Sequence, residues 1–244
     1  MNFFVAPAYN EEMNIGRLIK SLDEHHKKTG ENYQLIVVDD GSLDRTSEIV
    51  KEHSDRFPCS VIRYFPNQGV QEAFRRGFLK ALENAGPEDV IFTLEADSTA
   101  DLGLIPRFLE KIRKGADVVV ASYYAEGGSI EGTVWHRKIL SRAGNLFTRL
   151  FLRIDGIHTY SSFFRAYKPA ALRRVLEAHG DLFEEKGFAC VVELLFRLHR
   201  LGMRIEEVPM VLKGSARVGK SKMKVLETIS GYIRIALRRA AQNH

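Results

Sequence analysis

The chain is expected to fold as one α/β domain, with a mostly parallel sheet covered by helices on both faces. Three observations predict this. Short β-branched runs alternate with helical patterns through the first half of the chain. Those runs are apolar along their whole length, as in strands buried on both faces, and do not alternate with polar residues. No Pro/Gly/Ser-rich linker, internal repeat or low-complexity tract divides the 244 residues, a length that can bury a full-sized core.

The elements follow in order. Strands are expected at Phe3–Ala6, Leu35–Val38, Val61–Tyr64, Val90–Leu94 and Val118–Ala121. Between them, Ile15, Leu18, Ile19 and Leu22 mark one helix face, and Phe74, Phe78, Ala81 and Leu82 mark another. After Ser122 the alternation breaks. The Gly-containing stretch Tyr124–Gly132 is expected as a loop, followed by a long amphipathic helix over Val134–Leu152. A further strand is expected at Phe163–Tyr167, helices near Pro169–Ala178 and Val191–Leu201, and a last strand at Ile205–Val208. The main domain therefore runs over residues 1–222. Residues 223–244 form an amphipathic tail helix with Leu226, Ile229, Ile233 and Leu237 on one stripe, suited to packing on the domain or a partner subunit, or to a membrane surface.

Composition narrows the setting. The sequence is 45% hydrophobic and 27% charged, which is ordinary for a soluble globular protein. Cys59 and Cys190 have no partnered spacing, so buried thiols in a reducing cytoplasm are expected and neither a zinc site nor a disulfide framework is. The apolar start Phe3–Ala6 lacks the basic leader and length of an export signal. No stretch approaches the ~20 apolar residues of a membrane-spanning helix, so work on a membrane would be done from its cytoplasmic face. The net charge of +5 is uneven: from Lys213 onward eight Lys/Arg face a single acid, Glu227. A second basic run holds Arg137, Lys138, Arg142, Arg149 and Arg153, with no acid between Gly132 and Ile154. Such runs attract phosphates, nucleic acid or anionic lipid. Nucleic acid is disfavoured because exposed aromatics do not interleave with the basic residues.

In open parallel sheets, ligands sit beyond the carboxyl ends of the strands. Three expected strands end in acid-bearing segments: Pro7-Ala8-Tyr9-Asn10-Glu11, Asp39-Asp40-Gly41-Ser42 and Glu95-Ala96-Asp97. Helix capping by Asn10 or Ser42 would explain any one of them structurally; all three together point to a shared crevice. Glu95 and Asp97 offer hard oxygen ligands of the kind that suits Mg²⁺ or Mn²⁺, ions that complete their shell with water and substrate phosphate.

VAPAYNEE, VVDDGSLDRT, NQGVQEAF and LEADST, in this order, resemble family 2 glycosyltransferases of GT-A fold, with a Rossmann-like nucleotide-sugar-binding sheet. WHRKILSRAGNLFTRLFL, SSFFRAY, VVELLFRLHRLGMRIEEVPM and GKSKM resemble the dolichol- or polyprenyl-phosphate mannosyltransferase branch, and the resemblance spans residues 3–224. It implies that Pro7, Tyr9, Glu11, Val37 and Asp39 hold the nucleoside of a GDP- or UDP-sugar, with Ala96 and Asp97 beside the diphosphate. Asp97 would be the principal ligand of Mg²⁺ or Mn²⁺ and Glu95 a second or outer one. Arg217 and Lys222 would contact the diphosphate, since Arg offers paired donors and Lys a point charge. Arg137 and Ser141, four apart on one helix face with Asn145 a turn further, would grip the phosphate of a polyprenyl or dolichyl acceptor.

A phosphate acceptor is already ionised near neutral pH, with a second pKa of about 6, so no general base is required. Consistently, no Ser/His/Asp or Cys/His constellation stands out, and His136 and His158 are expected as surface or packing residues. The expected reaction is one in-line displacement that inverts the anomeric configuration. Several positions depart from the family pattern: Glu95 for the first Asp of the metal motif, Thr99 for a Gln, Tyr123 for a diphosphate-contacting Arg, Thr159 for an Asp and Phe163 for a Gly. Arg217 also lies five residues before Lys222, where six is usual. These changes leave the base and sugar open. Two alternatives stand beside the main expectation: a UDP-sugar-dependent enzyme with another acceptor, and a catalytically impaired nucleotide-sugar-binding subunit. A homo-oligomer or a separate membrane subunit is a possible partner.

Overall fold

The computed structural model of the chain describes residues 1–133, 135–214 and 224–242, without the side chains of residues 136, 137, 241 and 242. The strands are β1 (Asn2–Ala8), β2 (Tyr33–Asp40), β3 (Cys59–Tyr64), β4 (Val90–Thr93), β5 (Val118–Ser122), β6 (Ser129–Glu131), β7 (Arg165–Tyr167), β8 (Ile205–Pro209) and β9 (Val211–Lys213). The helices are α1 (Ile15–Thr29), α2 (Thr46–Ser54), α3 (Val70–Asn84), α4 (Ile105–Arg113), α5 (Trp135–Leu152), α6 (Pro169–His179), α7 (Cys190–Arg200) and α8 (Val225–Gln242). Seven strands form one sheet in the order β3-β2-β1-β4-β7-β5-β8. Every neighbouring pair is parallel except the two made by β7, which runs antiparallel between β4 and β5.

The apolar strands are buried on both faces, as their composition requires. Phe3, Val5, Ile36 and Val38 point to one layer, where they meet Phe74, Phe78, Leu172 and Leu195. Phe4, Ala6, Leu35 and Val37 point to the other, against Ile15, Leu18, Ile19 and Phe108. Successive residues alternate between faces because of the pleat. Each fully buried large side chain contributes roughly 1.5–3 kcal/mol. Two helices absent from the expectations, α2 and α4, complete the second layer. The stretch expected as a loop after Ser122 contains β6, which pairs in parallel with β9 in a separate two-stranded sheet.

The tail helix packs on the domain through residues other than the expected stripe. Leu226, Ile229, Ile233 and Leu237 are exposed, while Ile235 is buried and Thr228 nearly so. An ion-pair lattice holds α8 in place. Arg234 Nη2 lies 2.7 Å from Glu185 Oε2, and Arg238 reaches Glu185 and Glu184, each at 2.9 Å. Gly231 allows the close approach: a Cβ there would run into the Cβ of Ala189.

Both cysteines are free and buried, as expected. Burial pushes the Cys59 thiol up to about 11.

A buried histidine sets an acid-side weakness. His26 on α1 stacks on Tyr33 and meets Phe4 edge-on. Its Nδ1 lies 2.9 Å from the Leu22 carbonyl, and its buried Nε2 has no hydrogen-bond partner. Burial lowers its pKa below the ordinary 6.5. The unfolded chain then binds a proton that the folded chain refuses. Stability is therefore fully present above pH 6.5 and is lost as pH falls through the depressed folded value. His26→Phe is expected to reduce the fall in Tm between pH 7 and pH 5, measured by scanning calorimetry. An unchanged slope would assign that fall to other groups.

Candidate active site

Parallel pairing of β1 with both β2 and β4 puts the three acid-bearing segments at one sheet edge. The first two are tied to each other. Ser42 Oγ accepts from the Asn10 amide at 2.9 Å, and Asn10 Oδ1 accepts from the Leu43 amide at 2.8 Å. Thr46 Oγ1 accepts from the Glu11 amide at 2.8 Å. Asn10 and Ser42 thus clasp two loops together instead of capping helices, since neither α1 nor α2 has a side-chain cap.

Asp39 and Asp40 divide their labour across the pleat. Asp39 is fully buried; its Oδ1 accepts from the Ser42 amide at 2.8 Å and its Oδ2 from the Ser47 hydroxyl. Asp40 accepts from the Gln68 amide at 2.7 Å, the Gly69 amide at 2.9 Å and the Asn67 side chain at 2.8 Å, which fixes the start of α3. Burial raises the Asp40 carboxyl above its usual range, and these backbone donors pull against that rise. Gly41 between Ser42 and Asp40 has φ +74, and a Cβ there would stand 2.8 Å from the Asn67 backbone nitrogen, so the turn requires glycine. Pro7, Tyr9 and Glu11 are half-buried at the rim of this wall, and Val37 lies beneath it. Arg63, on β3, brings a cation to the same edge: its Nε is 3.6 Å from Asp39 Oδ2 and its Nη2 donates to the Ser42 carbonyl at 3.1 Å. The sequence analysis did not single it out, although a cation closing a strand beside VVDDGS was the available signal.

After β4, Ser98 sits at φ +60, uncommon for a residue with a side chain. This tight turn folds Thr99 back onto the acids. Thr99 Oγ1 lies 2.6 Å from Asp97 Oδ1 and 3.4 Å from Glu95 Oε2, and the Thr99 amide also donates to Asp97 at 3.1 Å. One hydroxyl therefore reaches both carboxylates, and Ala96 is buried between them. The donor set fits Mg²⁺ or Mn²⁺: two hard carboxylates converge on one locus at the sheet edge. Among the described residues no cluster of three or more His, Cys, Asp or Glu could hold a metal.

A second flank of the site begins where β5 ends. Tyr123 is buried, with its hydroxyl 2.9 Å from Ser161 Oγ. Burial pushes its phenol up to about 12. Because β4 and β5 run the same way on either side of β7, Tyr123 and the Glu95–Asp97 turn leave the sheet at the same edge. Tyr124 donates to Ser141 Oγ at 2.8 Å. Asn145 clamps the 158–160 turn, donating to the His158 carbonyl at 2.6 Å and accepting from the Tyr160 amide at 3.2 Å. His158 is not an isolated surface residue: its Nδ1 lies 2.9 Å from Glu207 Oε2. Thr159 is buried, bonded to Ser122 at 2.8 Å.

Two cavities open along α5. One, about 340 Å³, is lined by Tyr123, Tyr124, Lys138 and Arg142 among others. The other, about 290 Å³, takes Tyr124, Arg142, Asn145, Arg149 and His158. No described lining residue of either is acidic. Of the expected site residues, those of β1, β2 and the β4 end are brought to one edge, and Ser141 lies next to the cavities on Tyr124. Arg137 lies on α5, with its side chain outside the described residues, as are Arg217 and Lys222 entirely.

Residues 3–176 match the pattern described as "Glycosyl transferase family 2", and the chain belongs to that family. It is 33% identical over 231 residues to a dolichol-phosphate mannosyltransferase of Pyrococcus furiosus, covering 94% of this chain but only 61% of the relative. It is 31% identical to an undecaprenyl-phosphate mannosyltransferase of Micrococcus luteus, over 90% of this chain and 86% of the relative. In three dimensions it is similar to glucosyl-3-phosphoglycerate synthase of Mycobacterium tuberculosis, solved with Mn²⁺, UDP and glucosyl-3-phosphoglycerate. The TM-score is 0.68 at 19% identity, with 99% of this chain and 80% of that one covered. The fold is therefore GT-A, as the sequence motifs implied.

Proposed function

We propose that this protein is a metal-dependent, inverting glycosyltransferase that moves a hexose from a nucleotide sugar to a polyprenyl or dolichyl phosphate. One observation supports this above the others: β4 and β5 run the same way on either side of β7, so the Glu95–Asp97 turn and the Tyr123–Tyr124 segment leave the sheet at one edge, and the cavities that begin at those tyrosines have cations and no acid among their described lining residues. A dianionic leaving group and an anionic acceptor each need such a neighbourhood. The names of the two relatives favour mannose, while the UDP in the solved neighbour keeps a UDP-sugar open.

In this reading Pro7, Tyr9, Glu11, Val37 and Asp39 form the nucleoside wall, with the Tyr9 ring available for stacking. Glu95 and Asp97 would hold Mg²⁺ or Mn²⁺, which supplies charge stabilisation for the departing diphosphate. Ala96 lets the backbone approach that diphosphate, and Arg217 and Lys222 add positive charge to it. Arg137 and Ser141 orient the acceptor phosphate, whose ionised oxygen attacks the anomeric carbon without help from a base. Approximation and fixed charge then supply most of the acceleration.

The setting follows from the surface. No helix among the described residues is long and apolar enough to cross a membrane. Trp135, Ile139, Leu146 and Leu150 on α5, and the four exposed residues of the α8 stripe, instead offer apolar side chains beside Arg and Lys. Peripheral docking on the cytoplasmic face of an anionic membrane fits that surface. A second reading is favoured by the His158–Glu207 pair at the mouth of one cavity: a carboxylate-oriented imidazole could serve as base toward an alcohol acceptor.

The test is a product assay. GDP- and UDP-sugars are incubated with Mg²⁺ or Mn²⁺ and with matched isoprenyl phosphates and isoprenyl alcohols, in vesicles of phosphatidylcholine and phosphatidylglycerol, and products are identified by mass spectrometry. The expected result is a glycosyl phosphodiester from the phosphate alone, abolished by EDTA, from protein that sediments with the anionic vesicles. Transfer to alcohols that is lost in His158→Gln would favour the second reading. Nucleotide-sugar binding without any product would favour an impaired binding subunit.

A further inference from the structure

The ion pairs that seat α8 fasten a segment whose other side faces the acid-bearing sheet edge. The Glu185 side chain is only 1% exposed, and it takes two half-exposed arginines at once. Arg234 Nη2 lies 2.7 Å from its Oε2, and Arg238 Nη2 lies 2.9 Å from its Oε1. The Glu185 amide donates to buried Glu193 at 2.7 Å. A buried carboxylate stripped of its cations is strongly unfavourable. The segment around Glu185 therefore keeps its place only while α8 supplies those cations.

From Glu185 the chain enters the helical turn Gly187–Ala189, where successive residues face different elements. Ala189 fills the space that Gly231 leaves on α8. The Gly187 amide donates to Gln71 Oε1 at 2.8 Å. The Phe188 ring stacks on Phe163, with centroids 5.3 Å apart. Gln71 stands in the first turn of α3, and its Nε2 donates to the Gln68 carbonyl at 2.7 Å. Gln68 and Gly69 are the residues whose amides hold Asp40. Arg75, one turn further along α3, donates to the Phe183 carbonyl at 3.1 Å and ties the same segment down again. Phe163 reaches the next strand end, because its carbonyl accepts from Thr93 Oγ1 at 2.6 Å. A continuous set of contacts thus runs from α8 to the loop that Asp40 holds.

We infer that Arg234 and Arg238 are positioning residues for the Asn67–Gly69 turn beside Asp40, acting through Glu185, the Gly187 amide and Gln71. The consequence for ligand binding rests on the donor site proposed above: a seated α8 tightens the nucleotide. The exposed stripe of Leu226, Ile229, Ile233 and Leu237 lies opposite buried Ile235 on the helix. Seating on the domain and contact with a membrane therefore do not compete, and the effect is measurable without lipid.

Arg234→Gln combined with Arg238→Gln opens the ion pairs. Amide hydrogen exchange, read by mass spectrometry, is expected to quicken about tenfold in peptides covering residues 66–72, where local opening becomes easier. Calorimetric titration with GDP and UDP, each with Mn²⁺, is expected to show about tenfold weaker binding of whichever nucleotide the wild type takes. Arg234→Lys with Arg238→Lys should recover much of both effects. Gln71→Leu should cause a similar loss, and adding it to the Gln pair should cost no more than the larger of the two, since both act on one route. Arg173→Met is the control. It removes the donor to the Leu82 and Ala85 carbonyls at the far end of α3, and should lower Tm without weakening the nucleotide. Equal weakening in that control would make the effect one of general stability and overturn the inference. Unchanged exchange over 66–72 would overturn it too, as would fully additive losses or a nucleotide affinity untouched by the Gln pair. If exchange quickens but the wild type binds neither GDP nor UDP, the positioning stands and the donor reading fails.

Discussion

Asp97→Ala is expected to lower kcat/KM for sugar transfer about 1,000-fold, a loss of roughly 4 kcal/mol of transition-state stabilisation, while leaving the fold intact. The Asp97 side chain does two things that the substitution must separate. It accepts two hydrogen bonds from Thr99, which shape the turn at Ser98. It also presents negative charge, with Glu95, to one locus. Asp97→Asn keeps an oxygen acceptor for Thr99 and removes the charge. If the carboxylate holds a metal, Asn should lose nearly as much activity as Ala, and added Mn²⁺ should not restore it. If the residue only scaffolds the turn, Asn should be close to wild type, and the metal assignment is then wrong. Steady-state kinetics with circular dichroism on the same samples decides between them.

Arg165→Met should be the most damaging substitution for stability. Arg165 is fully buried, and its guanidinium donates to three main-chain carbonyls: Ser162 and Val191 at 2.7 Å and Tyr160 at 2.6 Å. Methionine fills much of the volume but satisfies none of the three acceptors, each worth roughly 1.5–3 kcal/mol when bonded to a charge. With partial relaxation the net cost is about 4 kcal/mol. For a domain of this size that lowers Tm by about 8–16 °C. Arg165→Lys should fall between, since one ammonium cannot span three carbonyls set apart in this way. A Tm within two degrees of wild type for Arg165→Met would show that the carbonyls find other donors. The same loop carries Ser161, the partner of Tyr123, and Tyr160, whose amide is held by Asn145. Weaker acceptor binding at temperatures well below Tm is therefore expected as well.

Much of this architecture was legible in the sequence because it depends on local composition. Seven expected strands form the main sheet, and the long basic helix runs over Trp135–Leu152 as its periodicity required. What was not legible has physical causes. In α2 only Ile49 and Val50 are apolar, too few to show a period, and Thr46 and Ser47 are buried for their hydroxyls instead. The helix α4 did carry the signal, with Ile105, Phe108, Leu109 and Ile112 at helical spacing and Pro106 in the first turn, yet the expectations omit it. The three-residue strands β6 and β9 pair with each other across about eighty residues and lay Ile130 and Leu212 against the core, which no local pattern announces. At the site, the acids of the strand ends could be named from their positions, but the division between Asp39 and Asp40 could not, because it depends on which loop each face meets. The Glu207–His158 pair and the Arg142-centred cavities likewise join residues from separate elements. Sequence spacing pointed to Arg137 and Ser141; only the fold shows Tyr124 on Ser141.

The antiparallel strand β7 has a consequence for how the molecule comes into being. It pairs with β4 on one side and β5 on the other, so two strand edges that are interior in the finished sheet depend on one late segment. During synthesis, at roughly 5–20 residues per second, β4 is complete several seconds before Arg165 emerges. Through that interval the exposed edges of β4 and β5 are open to each other or to a neighbouring chain. The nascent protein thus has a window of mispairing that narrows when residues 165–167 arrive and closes when β8 covers the other edge of β5. Chains truncated before that point are accordingly the ones most prone to aggregate.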